Sequence, residues 1–130
     1  IYYGDEIGMP GGNDPDNRRM MHFNDWSAPQ TALHEATQKL VNLRRSNMAL
    51  SYGDLEVVYN EGDVLVMARK YFDSIALIVM TKEPIDQPLT IDLPARYQSM
   101  NFQRVNANGI QCDGQRLVIY GAPGWEVFNR

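Results

Sequence analysis

The second half of the chain is a series of short apolar segments separated by turns, and this pattern restricts the fold more than any other feature. From residue 51 onward, turns rich in Asn, Gly, Asp and Pro interrupt the chain at short intervals. Residues 75–80, IALIVM, are apolar, as is typical of a central strand. Residues 89–93 alternate and stop at Pro94, as a half-buried strand does. The pattern predicts an antiparallel Greek-key β-sandwich.

The first two of these segments are joined by a hairpin signal. Residues 60–63, NEGD, form a polar, glycine-containing turn of the kind that connects antiparallel strands. The single cysteine, Cys112, excludes an internal disulfide, and we expect it to be a small half-buried side chain in a strand. The predicted strands are residues 55–59, 64–69, 75–80, 89–93, 102–105, 110–112, 116–120 and 125–128.

Residues 27–46 are predicted to form one amphipathic helix. Ser27 and Gln30 fit a capping box, and Pro29 is tolerated in the first turn, where its missing N–H would lack a helical partner. The apolar side chains recur at three- and four-residue steps, which predicts that one face of the helix lies on a neighbouring surface. These side chains are Ala32, Leu33, Ala36, Leu40 and Leu43.

Composition and charge exclude several classes of partner. Hydrophobic residues make up 44% of the 130 residues and charged residues 22%, which is ordinary for a globular protein. The formal charge is −4, and the basic residues are scattered rather than clustered, so we predict no nucleic-acid partner. No apolar run approaches membrane-spanning length, so we predict no membrane partner either.

The first 26 residues contain an apolar segment followed by a long polar loop. Residues 1–9, IYYGDEIGM, are predicted to form a strand, and residues 11–20, GGNDPDNRRM, the loop after it. Because no turn precedes this strand, we expect the chain to begin within a domain. Loops at the carboxyl ends of strands are where barrel enzymes place their active sites.

Two motifs in this region resemble those of the α-amylase family of glycoside hydrolases. They are YYGDEIG at residues 2–8 and DPDNR at residues 14–18, in the family's order and separation. Residues 43–50, LRRSNMAL, are similar to the family's last barrel helix and exit segment, with Met48 where proline is usual. The sequence of residues 11–20 is most similar to that of the neopullulanase and cyclomaltodextrinase branch, although Met20 replaces the usual proline.

The resemblance implies a division of the chain and an activity for the enzyme of which it is part. Residues 1–50 would be a remnant of a (β/α)8 catalytic barrel, with strand, substrate loop and helix, and residues 51–130 the C-terminal β-sandwich domain. The enzyme would act on α-glucans (starch, maltooligosaccharides, pullulan or cyclodextrins) by a retaining mechanism. The family's catalytic carboxylates lie on earlier strands, so we expect no catalytic residue in this chain and no activity from it alone.

Asp14 and Arg18 are the candidate substrate-binding residues. Planar side chains that form several hydrogen bonds suit sugar hydroxyls, and the resemblance implies that this pair contacts glucose units in the intact enzyme. The alternative is a clamp that only holds the loop. Asp5 and Glu6 cannot flank one glycosidic bond, because neighbours on a strand point to opposite faces.

We predict no metal site and no cofactor in this chain, and calcium stays open for the longer enzyme. The carboxylates and amides near Asp14 are faintly similar to a calcium loop, but Arg18 stands where an EF-hand needs an oxygen ligand and no closing glutamate follows. His22 and His34 are predicted to be surface residues, since neither has a cysteine or serine partner at motif spacing.

The aromatic residues Tyr2, Tyr3, Phe23 and Trp26 are expected to pack in a core or between domains, with stacking on sugars as the alternative. Trp125 is expected to close the core of the sandwich. The unpaired apolar strand predicts that residues 1–26 are either poorly ordered in solution or held by a second copy in a homodimer. Two other functions remain open for the chain itself, a non-catalytic carbohydrate-binding module and a purely structural sandwich.

Overall fold

The computed structural model describes residues 1–98, 101–106 and 109–130. The chain forms two compact units, Ile1–Arg44 and Arg45–Arg130. The first helix, α1, covers Ala28–Ser46 and so ends two residues into the second unit. The contacts group residues 45–50 with the sandwich, while the predicted boundary after residue 50 stays a prediction.

The second unit is built from a short helix and a succession of strands. Helix α2 covers Met48–Tyr52, and a 3-10 turn covers Ala95–Tyr97. Each predicted strand is present in the predicted order, within a few residues of its expected bounds. The strands are β1 Asp54–Glu61, β2 Val64–Tyr71, β3 Ser74–Thr81, β4 Ile85–Asp92, β5 Gln103–Arg104, β6 Ile110–Cys112, β7 Arg116–Gly121 and β8 Gly124–Asn129.

The strands form two antiparallel sheets, which confirms the predicted β-sandwich. One sheet has the order β1-β2-β3-β8-β5 and the other β4-β7-β6. The chain crosses to the smaller sheet for β4, returns to the larger sheet for β5 and crosses again for β6 and β7. It ends in the larger sheet with β8, which pairs with β3 and β5. Strand β5, at one edge of the larger sheet, has only two residues, and β1, at the other edge, has a register shift between Val57 and Tyr59.

The core lies between the two sheets because alternate side chains of each strand point inward. β2 buries Val64, Val66 and Ala68, and the smaller sheet contributes Leu117 and Ile119 to the same cluster. Ile75, Leu77, Val79, Ile91, Leu93, Tyr97, Ile110 and Phe128 complete the buried cluster. Cys112 and Phe102 pack against it while partly buried, as expected for Cys112.

The predicted hairpin between β1 and β2 is confirmed. Glu61 pairs with Val64, which leaves a two-residue turn of Gly62 and Asp63. Gly62 has a φ of 55°, a conformation that glycine adopts at little cost and that two-residue hairpins require.

The strand predicted over residues 1–9 is wrong. Gly4 and Gly8 have φ values of 90° and 59° and flank a 3-10 turn at Asp5–Ile7. The N–H groups of Ile7 and Met9 both donate to the Gly4 carbonyl, at 3.2 and 2.9 Å. The chain therefore bends back twice within nine residues. Residues 1–44, all of which the structure describes, contain no strand to pair with such a segment.

Helix α1 begins where the capping pattern predicts. Gln30 Oε1 accepts from the Ser27 N–H at 3.0 Å and from Ser27 Oγ at 2.9 Å, which is the glutamine half of a capping box. The Ser27 carbonyl accepts the first helical hydrogen bond from Thr31 N at 3.0 Å. No side chain of α1 is buried, and Leu33 and Leu40 of the apolar stripe are 42% and 39% exposed.

A buried carboxylate on β8 holds the segment that follows β5. Glu126 is fully buried, and its Oε1 accepts from the backbone N–H groups of Asn106 at 2.6 Å, Val127 at 3.0 Å and Val105 at 3.2 Å. Arg104 Nε lies 3.5 Å from Glu126 Oε2. Because β5 is so short, these bonds supply much of what attaches this segment to the sheet.

We expect Glu126→Ala to lower the free energy of unfolding by on the order of 3 kcal/mol, because it removes the carboxylate that accepts from the Asn106 and Val127 N–H groups. Glu126→Gln keeps an acceptor oxygen and should lose less. Urea denaturation followed by fluorescence measures the difference. The control is Glu83→Ala, an exposed glutamate that we expect to change stability by no more than about 0.5 kcal/mol. Equal losses in both alanine variants would contradict the proposed attachment.

Candidate functional site

The polar loop of the first unit is organised by a short 3-10 turn at Asp16–Arg18. The Asp16 N–H donates to the Asn13 carbonyl at 2.8 Å, and the Arg18 N–H donates to the Pro15 carbonyl at 3.0 Å. A turn this tight places side chains three and four residues apart on one side of the loop. Two carboxylate–guanidinium pairs result.

The outer pair consists of the two predicted site residues, which the structure brings together. Arg18 Nη2 lies 2.5 Å from Asp14 Oδ1. The two side chains are 73% and 61% exposed, and this single contact joins one nitrogen to one oxygen. The pair therefore presents further guanidinium donors and a second carboxylate oxygen to solvent.

The inner pair, Asp16 and Arg19, is tighter and was not among the predicted site residues. Arg19 Nε donates to Asp16 Oδ1 at 2.6 Å and Arg19 Nη2 to Asp16 Oδ2 at 2.9 Å, a two-pronged contact. Asp16 Oδ2 also accepts from the Gly12 N–H at 2.8 Å, so this carboxylate joins both ends of the loop. The three-residue spacing of Asp16 and Arg19 was the available signal, but it has meaning only once the turn is known.

The hydrogen bonds of the inner pair shift the pKa values of both partners. Those from Arg19, and then that from the Gly12 N–H, lower the pKa of the Asp16 carboxyl below its ordinary value. The same contacts with Asp16 raise the pKa of the Arg19 guanidinium. The pair is therefore ionised wherever the protein is folded near neutral pH.

Two tyrosines lie beside the inner pair. Tyr3 Oη donates to the Arg19 carbonyl at 3.1 Å, and the rings of Tyr2 and Tyr3 are 4.7 Å apart. A cleft of about 180 Å3 lies between these rings and the loop, with Asn17 also in its wall. The cleft combines aromatic faces with charged hydrogen-bonding groups, the two kinds of group that a sugar ring contacts.

Asp5 and Glu6 hold local backbone, and the expectation that they do not form an acid/base pair stays a prediction. Asp5 Oδ2 accepts from the Tyr2 N–H at 2.9 Å, and Glu6 Oε2 accepts from the Gly4 N–H at 2.9 Å. The two residues lie in a 3-10 turn rather than on the predicted strand.

The remaining aromatic and histidine residues of the first unit differ partly from expectation. Trp26 stacks on His34 with ring centroids 4.7 Å apart, and its Nε1 donates to the His22 carbonyl at 2.8 Å. His34 is thus half-buried rather than a plain surface residue, whereas His22 is exposed as predicted. Phe23 is 80% exposed and Tyr2 66%, so neither packs in a core of its own unit. The homodimer through residues 1–26 stays a prediction.

Two absences apply to the part of the chain that the structure describes. No group of three or more His, Cys, Asp or Glu side chains is arranged to hold a metal ion. No helix there combines the length and the apolar character needed to cross a membrane.

No family model matches the chain. Its sequence is similar to short parts of an amylopullulanase and of a cyclomaltodextrin glucanotransferase. It is 42% identical over 93 residues to an amylopullulanase of Thermoanaerobacter thermohydrosulfuricus. The aligned region covers 63% of this chain and 6% of the relative. It is also 42% identical over 83 residues to a cyclomaltodextrin glucanotransferase of Geobacillus stearothermophilus. This aligned region covers 63% of this chain and 11% of the relative.

The fold is that of a solved α-amylase from Anoxybacillus. The superposition has a TM-score of 0.80 at 28% sequence identity and covers 98% of this chain and 27% of the amylase. The chain thus has the fold of part of an α-amylase-type glycoside hydrolase.

The chain is homologous to the C-terminal regions of α-amylase-family glycoside hydrolases. Its strands match the C-terminal β-sandwich domain of these enzymes. The neopullulanase and cyclomaltodextrinase branch stays a prediction, since the relatives described above carry other names.

The inner pair predicts a pH-dependent loop. Because the folded pKa of Asp16 is depressed, the pair stabilises the loop at pH values above the ordinary aspartate pKa, and this stabilisation is lost as the pH falls through the depressed value. We expect the Gly12 amide resonance to show a transition in NMR titration below the usual aspartate range. Asp16→Asn should abolish it, and Asp14→Asn, the control, should leave it. A Gly12 transition unchanged by Asp16→Asn would contradict the assignment.

Proposed function

We propose that this chain is the C-terminal part of a longer retaining glycoside hydrolase that acts on α-glucans such as starch, maltooligosaccharides, pullulan or cyclodextrins. The homology to α-amylase-family enzymes supports this, together with the names of the similar proteins, an amylopullulanase, a cyclomaltodextrin glucanotransferase and an α-amylase. The nucleophile and the acid/base of the longer protein would lie outside this chain.

We propose further that Asp14 and Arg18 bind glucose units of the substrate. The observation that carries this is that the two ion pairs differ in their contacts and in their exposure. Asp16 and Arg19 form the two-pronged contact, and Asp16 also accepts from the Gly12 N–H. This pair therefore holds the shape of the loop. Asp14 and Arg18 share one contact and remain mostly exposed, so their other polar atoms are available to hydroxyl groups.

The carboxylates near the loop support the proposal that the chain alone is inactive. Retaining hydrolysis needs two carboxyl groups roughly 5 Å apart on opposite sides of one bond, one as nucleophile and one as acid. Asp5 and Glu6 each accept a backbone N–H, and Asp16 accepts from Arg19 and Gly12. These carboxylates have structural partners instead of the open geometry that a nucleophile requires.

We therefore expect the purified chain to release no reducing ends from maltooligosaccharides, because neither half of a two-step displacement is present. The longer protein should hydrolyse or transfer the same substrates and form the α-anomer first, as NMR of the fresh product would show. Turnover by the 130-residue chain that scales with protein concentration would contradict the proposal.

In the longer protein, we expect Asp14→Ala and Arg18→Ala each to lower kcat/KM on long α-glucans by about ten- to a hundredfold, with the melting temperature unchanged. The double variant should lose less than the product of the two factors, because the residues act as one unit.

The matched control is another exposed aspartate–arginine pair in the sandwich. Arg116 Nε lies 4.0 Å from Asp92 Oδ1, and the side chains of Asp92 and Arg116 are 86% and 52% exposed. Asp92→Ala and Arg116→Ala should leave kcat/KM as in the wild type. Wild-type kinetics with a lowered melting temperature in the Asp14 and Arg18 variants would show that the outer pair is only a loop clamp.

A further inference from the structure

A row of three aromatic side chains, two exposed and the middle one half-buried, lies at one end of the sandwich. Tyr52 ends α2, Tyr71 ends β2, and Phe72 occupies the turn between β2 and β3. The ring centroids of Tyr52 and Tyr71 are 5.7 Å apart, and those of Tyr71 and Phe72 are 4.8 Å apart, edge to face. Tyr52 and Phe72 are nevertheless 67% and 79% exposed. Neighbouring aromatic rings left open to solvent indicate a recognition surface.

The backbone conformation at Phe72 is unfavourable for an aromatic residue, so local stability does not explain why an aromatic side chain stands there. Tyr71 pairs with Ser74, so Phe72 is the first of two residues in a hairpin turn, and its φ is 50°. Turns with positive φ at this position favour glycine, asparagine or aspartate, and a bulky residue there is a conformational outlier. An aromatic side chain kept in an unfavourable backbone conformation points to a use for the ring.

A cleft of about 470 Å3 adjoins the Phe72 ring and carries fixed polar groups. Glu56 accepts from Tyr97 Oη at 2.7 Å and from Arg96 Nε at 3.2 Å. Lys70 lies opposite Asp54 in the ladder between β1 and β2, and both line the cleft. Two acidic and two basic side chains thus offer donors and acceptors with no net charge.

We propose that the row of Tyr52, Tyr71 and Phe72, with this adjoining cleft, binds a segment of a neutral oligosaccharide, specifically an α-glucan chain. Aromatic faces stack on the apolar faces of sugar rings, and polar groups of both kinds serve the hydroxyls at the ring edges. Balanced charge in the cleft, and a formal charge of −4 on the chain, do not suit a polyanion. The choice of α-glucan rests on the proposed function, whereas the sugar-binding surface rests on this geometry.

The test compares binding by the full chain and two aromatic variants. Affinity electrophoresis in soluble starch and NMR titration with maltoheptaose measure retardation and Kd. Phe72→Gly removes the ring and suits the positive φ, so we expect an unchanged or higher melting temperature with a roughly tenfold rise in Kd. Tyr52→Ala should also weaken binding. Tyr120→Ala, which removes an exposed aromatic from the smaller sheet, is the matched control and should bind as the wild type does.

The outcomes separate this surface from the loop. Retardation that survives Phe72→Gly and Tyr52→Ala but is lost in the double variant Asp14→Ala, Arg18→Ala would overturn the sandwich site and support the loop. Binding of cellohexaose but not maltoheptaose, lost in Phe72→Gly, would overturn the α-glucan assignment alone. Retardation by an oligothymidylate in place of starch, or by neither probe, would overturn the proposal.

Discussion

The ladder between β2 and β3 is the constraint on which the sandwich depends. It pairs the two strands from Val64↔Thr81 to Tyr71↔Ser74 without a register shift. Because side chains alternate, this register directs the core-facing residues of both strands to the same side. A slip of one residue would turn them to solvent and would also move the hairpin turn that carries Phe72. The packing of the core and the position of the exposed ring are therefore consequences of one register.

Strands of the sandwich could be predicted because a strand buried on one face leaves a period of two in the sequence and a central strand leaves a short apolar run. Helix α2 was not predicted, since five residues are too few to show a helical period. Its start depends on Asn47, whose side chain accepts from Leu50 N at 2.9 Å. Asparagine favours loops and helix caps alike, so the residue type alone did not distinguish them.

In the first unit, by contrast, an apolar run led to the prediction of a strand that is absent. Residues 1–9 have the composition of a strand, but Gly4 and Gly8 adopt positive φ and fold the segment into turns. For the candidate site, motif spacing found Asp14 and Arg18, whereas the tighter Asp16–Arg19 pair required knowledge of the 3-10 turn. The role of Glu126 was likewise beyond prediction, because two of the three donors it satisfies are backbone groups about twenty residues away.

The two edges of the larger sheet differ from its centre in a way that bears on solubility. A free edge presents unpaired N–H and C=O groups, and a long, flat, apolar edge recruits strands from other chains. Here β5 is too short to act as a template. At β1, where Leu55 and Val57 are 60% and 55% exposed, the bulge between Val57 and Tyr59 interrupts the regular spacing that an incoming strand would need. The bulge thus protects against edge-to-edge aggregation at the place where the exposed side chains most invite it.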